Sequence, residues 1–448
     1  MKIGFVSMPF VGHLNPMTTL ARRLQSRGHE VAFIGVPDVK PFARAAGLNF
    51  VPFCENEYPP GSIARLYAPV SKLHGPEVAR WSVRERNGDL FSAASKHLTR
   101  KLGETSVDAL VIDTIHAFLQ LVPISLGMPY VQVSTGLHVD LSGVSPPYFF
   151  SWPHESTPEA RTRNLEGVRE AGEIFAPIAS LAMSYGEKMG LQIDWSDFAA
   201  TASKLAVITQ TPKEFDFPGI PWPAQFHYTG PFHDSEGREP IAFPWEKLTG
   251  NPLVYASMGT LVNGLERVYK IILKAVGHLR DTQVVLSVGK NLKLDDLGTI
   301  PSNVIVVRAA PQGELLKRAA LCITHAGLNT ALESLAQGVP MVAIPIGYDQ
   351  PGVAARIAYH GVGEFVDIED LAVERVQLLI QEVLENPRYR EKARWFQKVI
   401  AQTRGLDMAA EVIERAFRPP VYPQSFRPNP SKLMADSNVA ALAADGSR

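Results

Sequence analysis

The densest chemistry in the chain lies in one stretch, His325-Ala326-Gly327-Leu328-Asn329-Thr330, followed by Glu333 and then by Asp349-Gln350. His325 directly follows an apolar run, Leu321 to Thr324, that reads as a strand, and Gly327 lets the backbone approach a ligand closely before a helix begins at about Asn329. A helix N-terminus offers unpaired N–H groups and the positive end of a dipole, which suits a diphosphate. His325, Asn329 and Thr330 add side-chain donors, and Glu333, one turn beyond Asn329 on the same face, can accept two hydroxyl bonds from a ribose. Asp349 and Gln350 follow a further strand, Met341 to Pro345, and side by side they suit the vicinal hydroxyls of a sugar. Taken singly, these residues are a loop histidine, a helix cap, a surface acid and a turn acid. Together, at this spacing, they form a binding constellation for a sugar attached to a diphosphate.

The elements that must position these side chains come as two series. In the first, strands are expected at residues 2–8, Val31 to Val36, Asn49 to Phe53, Val107 to Asp113, Tyr130 to Ser134 and Leu205 to Gln210. A helix is expected to start at Pro16, where a missing N–H costs nothing, and to end at Gly28; a short one spans Pro41 to Ala46, and another begins at about Ala117. Residues 62–102 read as mostly helical, and residues 140–203 interrupt the alternation with a Pro- and aromatic-rich loop and long helical segments. The second series runs strand Leu253 to Ser257, helix Leu265 to His278, strand Gln283 to Val288, strand Val304 to Val307, helix Gly313 to Ala319, strand Leu321 to Thr324, helix Asn329 to Gln337 and strand Met341 to Pro345, with closing helices at Tyr389 to Thr403 and Asp407 to Phe417. Strand-helix-strand alternation implies parallel sheets, so the expected fold class is α/β with two doubly wound Rossmann-like domains facing a central cleft. The expected division is an N-terminal domain over 1–232, a Pro-rich linker over 233–251, a C-terminal domain over 252–403, a helix over 404–418 that returns to the N-terminal domain, and a flexible tail over 419–448.

Composition is compatible with this plan. The 448 residues are about two to three times a typical domain, 46% are hydrophobic and 20% charged. With 44 Lys and Arg against 45 Asp and Glu there is no global field to attract nucleic acid or anionic lipid. The two cysteines, Cys54 and Cys322, lack any zinc or redox spacing and read as small buried hydrophobes. No run reaches the roughly 18 to 20 apolar residues of a membrane span, and the first residues read as a strand and not a signal peptide. A cytoplasmic protein, monomer or weak dimer, is expected.

On the residues quoted, together with Ala310-Pro311-Gln312 and Gly338-Val339-Pro340, the chain resembles the UDP-dependent glycosyltransferases of glycosyltransferase family 1, which have the GT-B fold; the resemblance extends to about residue 417. It implies that His325, Gly327, Asn329 and Thr330 bind the diphosphate, Glu333 the ribose and Asp349 and Gln350 the transferred sugar, with Ala310 and Gln312 near the nucleoside. Ser257-Met258-Gly259-Thr260 looks like the family's phosphate-contacting loop. Two positions depart from the pattern: Ala309, preceded by Arg308, stands where the family often has an aromatic for base stacking, and Leu328 stands at a common Trp position. Stacking would then be weaker or come from Arg308, which leaves UDP and TDP both open.

The resemblance also singles out His13, in Gly12-His13-Leu14-Asn15-Pro16 after the first strand, as the base, and Asp113, at the end of its own strand, as its partner carboxylate. A neutral imidazole of pKa near 6.5 can take the proton of an attacking hydroxyl, and a carboxylate fixes its tautomer. Standing alone, His13 would read as structural and Asp113 as a helix cap. Trp81, Phe91, Phe118, Phe149, Phe150 and Trp152, with Trp195 and Phe198, fall in the family's acceptor-forming segments and favour a flat, lipophilic acceptor such as a flavonoid, another phenol or a terpenoid. The expected reaction is an inverting transfer from UDP-glucose to oxygen, or to a ring carbon beside a phenol, with no cofactor. The sequence has no Asp-x-Asp at a strand end, so no metal is implied. An epimerase on the same fold would need further acid/base groups and no acceptor pocket, and a non-catalytic sensor would not need His13 and Asp113.

Overall fold

The computed structural model describes residues 1–197, 199–234, 236, 240–279 and 281–418. The expected tail at 419–448 and Phe198 lie outside the described residues. The first half runs β1 (Lys2–Val6), α1 (Val11–Ser26), β2 (Glu30–Gly35), α2 (Lys40–Ala45), β3 (Asn49–Pro52), α3 (Ser62–Leu66), α4 (Pro76–Ser82), α5 (Gly88–Thr105), β4 (Ala109–Asp113), α6 (Leu121–Leu126), β5 (Tyr130–Ser134), α7 (Pro158–Lys188), β6 (Val207–Thr209) and β7 (Phe226–Tyr228). The second runs β8 (Leu253–Ser257), α8 (Glu266–Val276), β9 (Gln283–Ser287), β10 (Val304–Val307), α9 (Gln312–Leu316), β11 (Ala319–Thr324), α10 (Leu328–Ala336), β12 (Met341–Ala343), α11 (Gln350–Tyr359), β13 (Gly363–Phe365), α12 (Val373–Glu385), α13 (Pro387–Gln402) and α14 (Gly405–Ala416).

Both sheets are parallel, in the orders β3-β2-β1-β4-β5-β6-β7 and β10-β9-β8-β11-β12-β13. The near-continuous apolar strands, such as Ala109–Asp113 and Leu253–Ser257, are buried along their whole length because helices cover both faces. In each sheet the winding reverses once, between β1 and β4 and between β8 and β11, and the crevice beyond the strands' carboxyl ends at such a reversal is where a parallel sheet binds ligands. Register makes this specific. Val6 pairs with Ile112, which sets Ser7 and the start of α1 beside Asp113; Ser257 pairs with Thr324, which sets the Met258-Gly259 turn beside His325.

Several elements differ from expectation for physical reasons. Helix α1 begins at Val11 and carries Pro16 inside it, so Pro16 does not start the helix; it removes one intrahelical donor and leaves the Gly12 carbonyl free. The helix expected near Ala117 begins at Leu121, because Asp113 holds the N–H of Ile115 in a turn and Phe118 adopts a left-handed φ of 63°. Strands β7 and β13 are edge strands of three residues, too short for a periodic signal, and α11 and α12 are additional helices of the second half. Cys54 and Cys322 are buried thiols, as expected, and burial pushes each up to about 12.

Helix α14 returns to the first half and packs on α1. Arg27 makes a two-pronged contact with Glu414, both bonds 2.8 Å, and Arg23 Nε donates to Asp407 at 2.8 Å. Arg27 and His29 hold the Glu414 carboxyl down at about 2. Deeper between the halves, Arg356 of α11 donates from Nε and Nη2 to Oδ1 of Asp216 at 3.1 and 2.7 Å, and both side chains are essentially inaccessible to water. Asp216 also meets His138 Nε2 at 2.9 Å and accepts from the Tyr228 hydroxyl at 2.5 Å. The Gly352 N–H donates to the Tyr148 carbonyl at 2.8 Å, tying α11 to the aromatic loop of the first half.

Candidate active site

On the first half, the site begins with His13, in the opening turn of α1. Its Nδ1 lies 2.9 Å from Asp113 Oδ2 and 2.6 Å from Thr135 Oγ1, while Ser7 Oγ donates to the same Asp113 oxygen at 2.8 Å. An ionised carboxylate only accepts, so Nδ1 carries the hydrogen and Nε2 keeps a lone pair. The Asp113 side chain is 1% exposed and that of His13 21%, so the carboxylate is sealed while the imidazole can still meet a substrate. Burial lowers the His13 pKa, but the charge and hydrogen bond of Asp113, with the charge of Asp349, outweigh it and the net direction is upward from 6.5.

That direction gives a pH prediction. An imidazole in the role expected of His13 must be unprotonated to act as base, so that role places the acid limb of a kcat/KM profile above pH 6.5. The stability sign is opposite: a raised imidazole pKa contributes stability that is complete below 6.5 and fades as pH rises through the folded value. An acid limb in wild-type protein centred at or below 6.5 contradicts the assignment.

On the second half, the imidazole of His325 is wedged between two glycines. A Cβ on Gly259 would lie 2.5 Å from His325 Nε2, and one on Gly327 would collide with the same atom. Gly259 has a φ of +77°, and its carbonyl accepts from Asn263 Nδ2 at 2.6 Å, which braces the turn. Burial lowers the His325 pKa to about 4, so the ring is neutral near pH 7, and its Nδ1 is buried without a partner. Ala326, next in the chain, holds a left-handed φ of 63° without being glycine, and Tyr348, just before Asp349, holds 55°. Such strain costs on the order of 1–3 kcal/mol per residue and clusters at ligand sites.

Around the same cradle, Gln312 Nε2 donates to Glu333 Oε2 at 2.5 Å and reaches Thr330 Oγ1 at 3.3 Å, and the Tyr255 hydroxyl donates to Gln312 Oε1 at 3.1 Å. The residues read as nucleoside-side and ribose-side therefore share one hydrogen-bond cluster. Asp349 turns toward the first half: its Oδ2 accepts from the Leu137 N–H at 2.9 Å, and burial raises its pKa. Gln350 Oε1 accepts from the N–H groups of Ile346 and Gly347 at 2.8 and 3.1 Å, which fixes the amide's orientation.

Some of the sequence reading is corrected in detail. Leu328 and Ala310 point their side chains into the core, so each has only backbone to offer a donor. Arg308 is tied through Nη1 to the carbonyls of Gly289 and Leu292, which fixes its guanidinium on that loop. Ser257 is buried and Thr260 exposed at either end of the Gly259 turn. The aromatics do not form one wall. Phe91 is a core side chain of a cluster that also holds Phe118, Phe149 and Trp195 and reaches Tyr348; Phe150 stacks on Trp152 at 4.0 Å against α7; Trp81 sits edge-on to Tyr67, which meets Phe10 just before α1. Sequence reasoning missed Ser7, Thr135, Gln210 and Tyr255. Three of them had a signal: Ser7, Thr135 and Gln210 are each the first polar residue past the end of a parallel strand, the position that opens onto the crevice.

Gly327→Ala tests the wedge. Its φ suits alanine, so the clash with His325 is the only new strain. Calorimetric affinity for UDP is expected to fall at least about tenfold, the scale of one hydrogen bond to a charged group. Unchanged affinity would remove His325 from the cradle.

Two facing parallel-sheet halves, with His13 and Asp113 at one winding reversal and the His325 turn at the other, give the chain the GT-B fold of glycosyltransferases. The family model described as "UDP-glucoronosyl and UDP-glucosyl transferase" matches residues 195–418, half of the chain, and the chain belongs to that family. It is similar to a zeaxanthin glucosyltransferase of Pantoea ananas, 26% identical over 419 residues that cover 92% of this chain and 95% of that one. It is also similar to the NDP-glycosyltransferase YjiC of Bacillus subtilis (strain 168), 25% identical over 430 residues that cover 94% and 99%. Among solved structures, the glycotransferase of kitacinnamycin shares the fold with a TM-score of 0.70 at 24% identity, covering 93% and 98% of the two chains. Among the described residues, no helix is long and apolar enough to cross a membrane.

Proposed function

We propose that this glycosyltransferase carries out an inverting transfer of glucose from UDP-glucose to a lipophilic acceptor, a phenol, flavonoid or terpenoid, with His13 as base. The observation that carries the reading is the His13–Asp113 pair, which sits at one reversal with the imidazole 21% exposed and Nδ1 turned to the carboxylate, while the glycine-lined turn at His325, read as the diphosphate cradle, sits at the other. As an acceptor oxygen attacks the anomeric carbon, Nε2 takes its proton and Asp113 stabilises the imidazolium. The carbon–oxygen bond to UDP breaks as the new bond forms on the opposite face, so an alpha-linked donor gives a beta-glycoside. The N–H groups of the first turn of α10, with His325 and Thr330, stabilise the departing diphosphate. The Pantoea relative, by its name a glucosyltransferase for zeaxanthin, supports glucose and a lipophilic acceptor; Asp349 and Gln350 would hold the sugar hydroxyls.

The test is incubation with UDP-glucose, TDP-glucose and a panel of phenols and terpenoid alcohols, with products read by mass spectrometry before and after acid hydrolysis. Products that survive acid are carbon-linked, since a ring carbon beside a phenol can attack with the same base. UDP-glucose turnover with no sugar on any acceptor counts against the reading. We further propose that the cradle acts without a divalent metal: rates in excess chelator are expected to stay within about twofold of those without, a ratio far smaller than the several kcal/mol a Lewis acid contributes. Loss of activity that added magnesium or manganese restores would overturn that.

A further inference from the structure

Gln210 is the first residue after β6, and its side chain is wholly buried. Its Nε2 donates to the Thr135 carbonyl at 2.6 Å and to Asn329 Oδ1 at 2.8 Å, while its Oε1 is buried without a partner. Asn329 passes the connection on, donating from Nδ2 to the Gly12 carbonyl at 2.6 Å.

The direction of this chain is fixed at both ends by backbone carbonyls, which only accept. Thr135 obliges Gln210 to present its NH2; that NH2 obliges Asn329 to present Oδ1; only Nδ2 then remains for Gly12. Flipping either amide breaks the chain. The Gly12 carbonyl is available because its partner in a regular helix would be the N–H of residue 16, which is proline. Both ends of the chain close on the base: Thr135 Oγ1 lies 2.6 Å from His13 Nδ1, and Gly12 is covalently joined to His13.

We infer that Gln210 is a positioning residue for transfer, one that couples occupation of the diphosphate cradle at Asn329 to the orientation of His13 across the cleft. The inference rests on the transferase reading given above. A diphosphate at the start of α10 draws on the same Asn329 amide that grips Gly12 and Gln210, so donor arrival changes the hold on His13 from both sides at once. Before the donor binds, the same chain holds the two halves in register without any substrate.

The experiment uses full-length protein with isotope-labelled histidine, in which the His13 imidazole resonances are assigned by their loss in His13→Ala, and UDP is the probe. In wild type, UDP is expected to shift the His13 signals. In Gln210→Met, which keeps volume and removes both donors, UDP is expected to bind within about threefold of wild type while the His13 shift falls by more than about half. Its kcat should drop at least about tenfold with little change in KM for UDP-glucose, the signature of a misplaced base. Pro16→Ala, which returns an N–H to compete for the Gly12 carbonyl without touching the interior amide, is expected to reproduce part of the effect with no loss of melting temperature. A Gln210→Met protein that binds UDP and moves His13 as wild type does overturns the coupling. So does a wild type that binds UDP while His13 stays unmoved. A wild type that does not bind UDP sinks the donor reading itself, and the coupling with it.

Discussion

Replacing His13 with alanine is expected to lower kcat about 10²- to 10⁴-fold, the range of a positioned general base, while UDP affinity stays within about twofold. The two readouts separate because His13 belongs to the first half, whereas the proposed cradle for UDP is built by α10 and the Gly259 turn of the second. Asp113→Asn should lose much of the same factor, since an amide can present its NH2 to Nδ1, put the imidazole hydrogen on Nε2 and so remove the lone pair that acts as base. The double variant should be barely slower than His13→Ala, because the carboxylate works only through the imidazole. Steady-state rates with UDP-glucose and one accepted phenol, beside UDP calorimetry, decide it. Near-wild-type turnover in His13→Ala would end the mechanism.

The second large effect concerns stability. Asp216→Ala leaves the Arg356 guanidinium buried against α11 with no counter-charge, and breaking a buried pair from one side costs about 3–5 kcal/mol. Chemical denaturation should show the loss. Replacing both partners, as Asp216→Leu with Arg356→Met, should recover much of it, because paired charges in an interior gain little over well-packed apolar groups. Burial alone would raise the Asp216 carboxyl, but Arg356, His138 and Tyr228 overcome that and hold it far below the usual carboxylate range. A carboxylate lowered in this way contributes stability that is present above its unfolded value, about 3.9, and lost only as pH falls toward the folded one. Wild type and Asp216→Ala should therefore remain well separated at neutral pH and converge only in strong acid. A gap that closes near neutral pH would contradict the assignment.

Legibility differed between strand, turn and contact. Strands Tyr130–Ser134, Leu253–Ser257 and Val304–Val307 were readable to the residue, because each is a short run rich in strand-forming residues that follows a proline or asparagine turn. The three-residue edges β7 and β13 were not, since so few residues carry no period. Pro16 misled in the useful direction: a proline reads as a helix start, yet here it sits inside α1 and leaves Gly12 a free carbonyl for Asn329.

The sequence by itself determined the two series of parallel strands, the glycines around His325 and the residue types at the strand ends, because burial, backbone conformation and side-chain chemistry are properties of a residue and its near neighbours. It could not say that Gln210 meets Asn329, 119 positions away, that Arg356 meets Asp216 or that Asp349 reaches the Leu137 N–H. Those contacts depend on the order of strands within each sheet and on how the halves face each other. Only the tertiary structure fixes that arrangement, because a hydrogen bond is decided within a few tenths of an ångström. Local pattern carries no such precision between residues far apart in the chain.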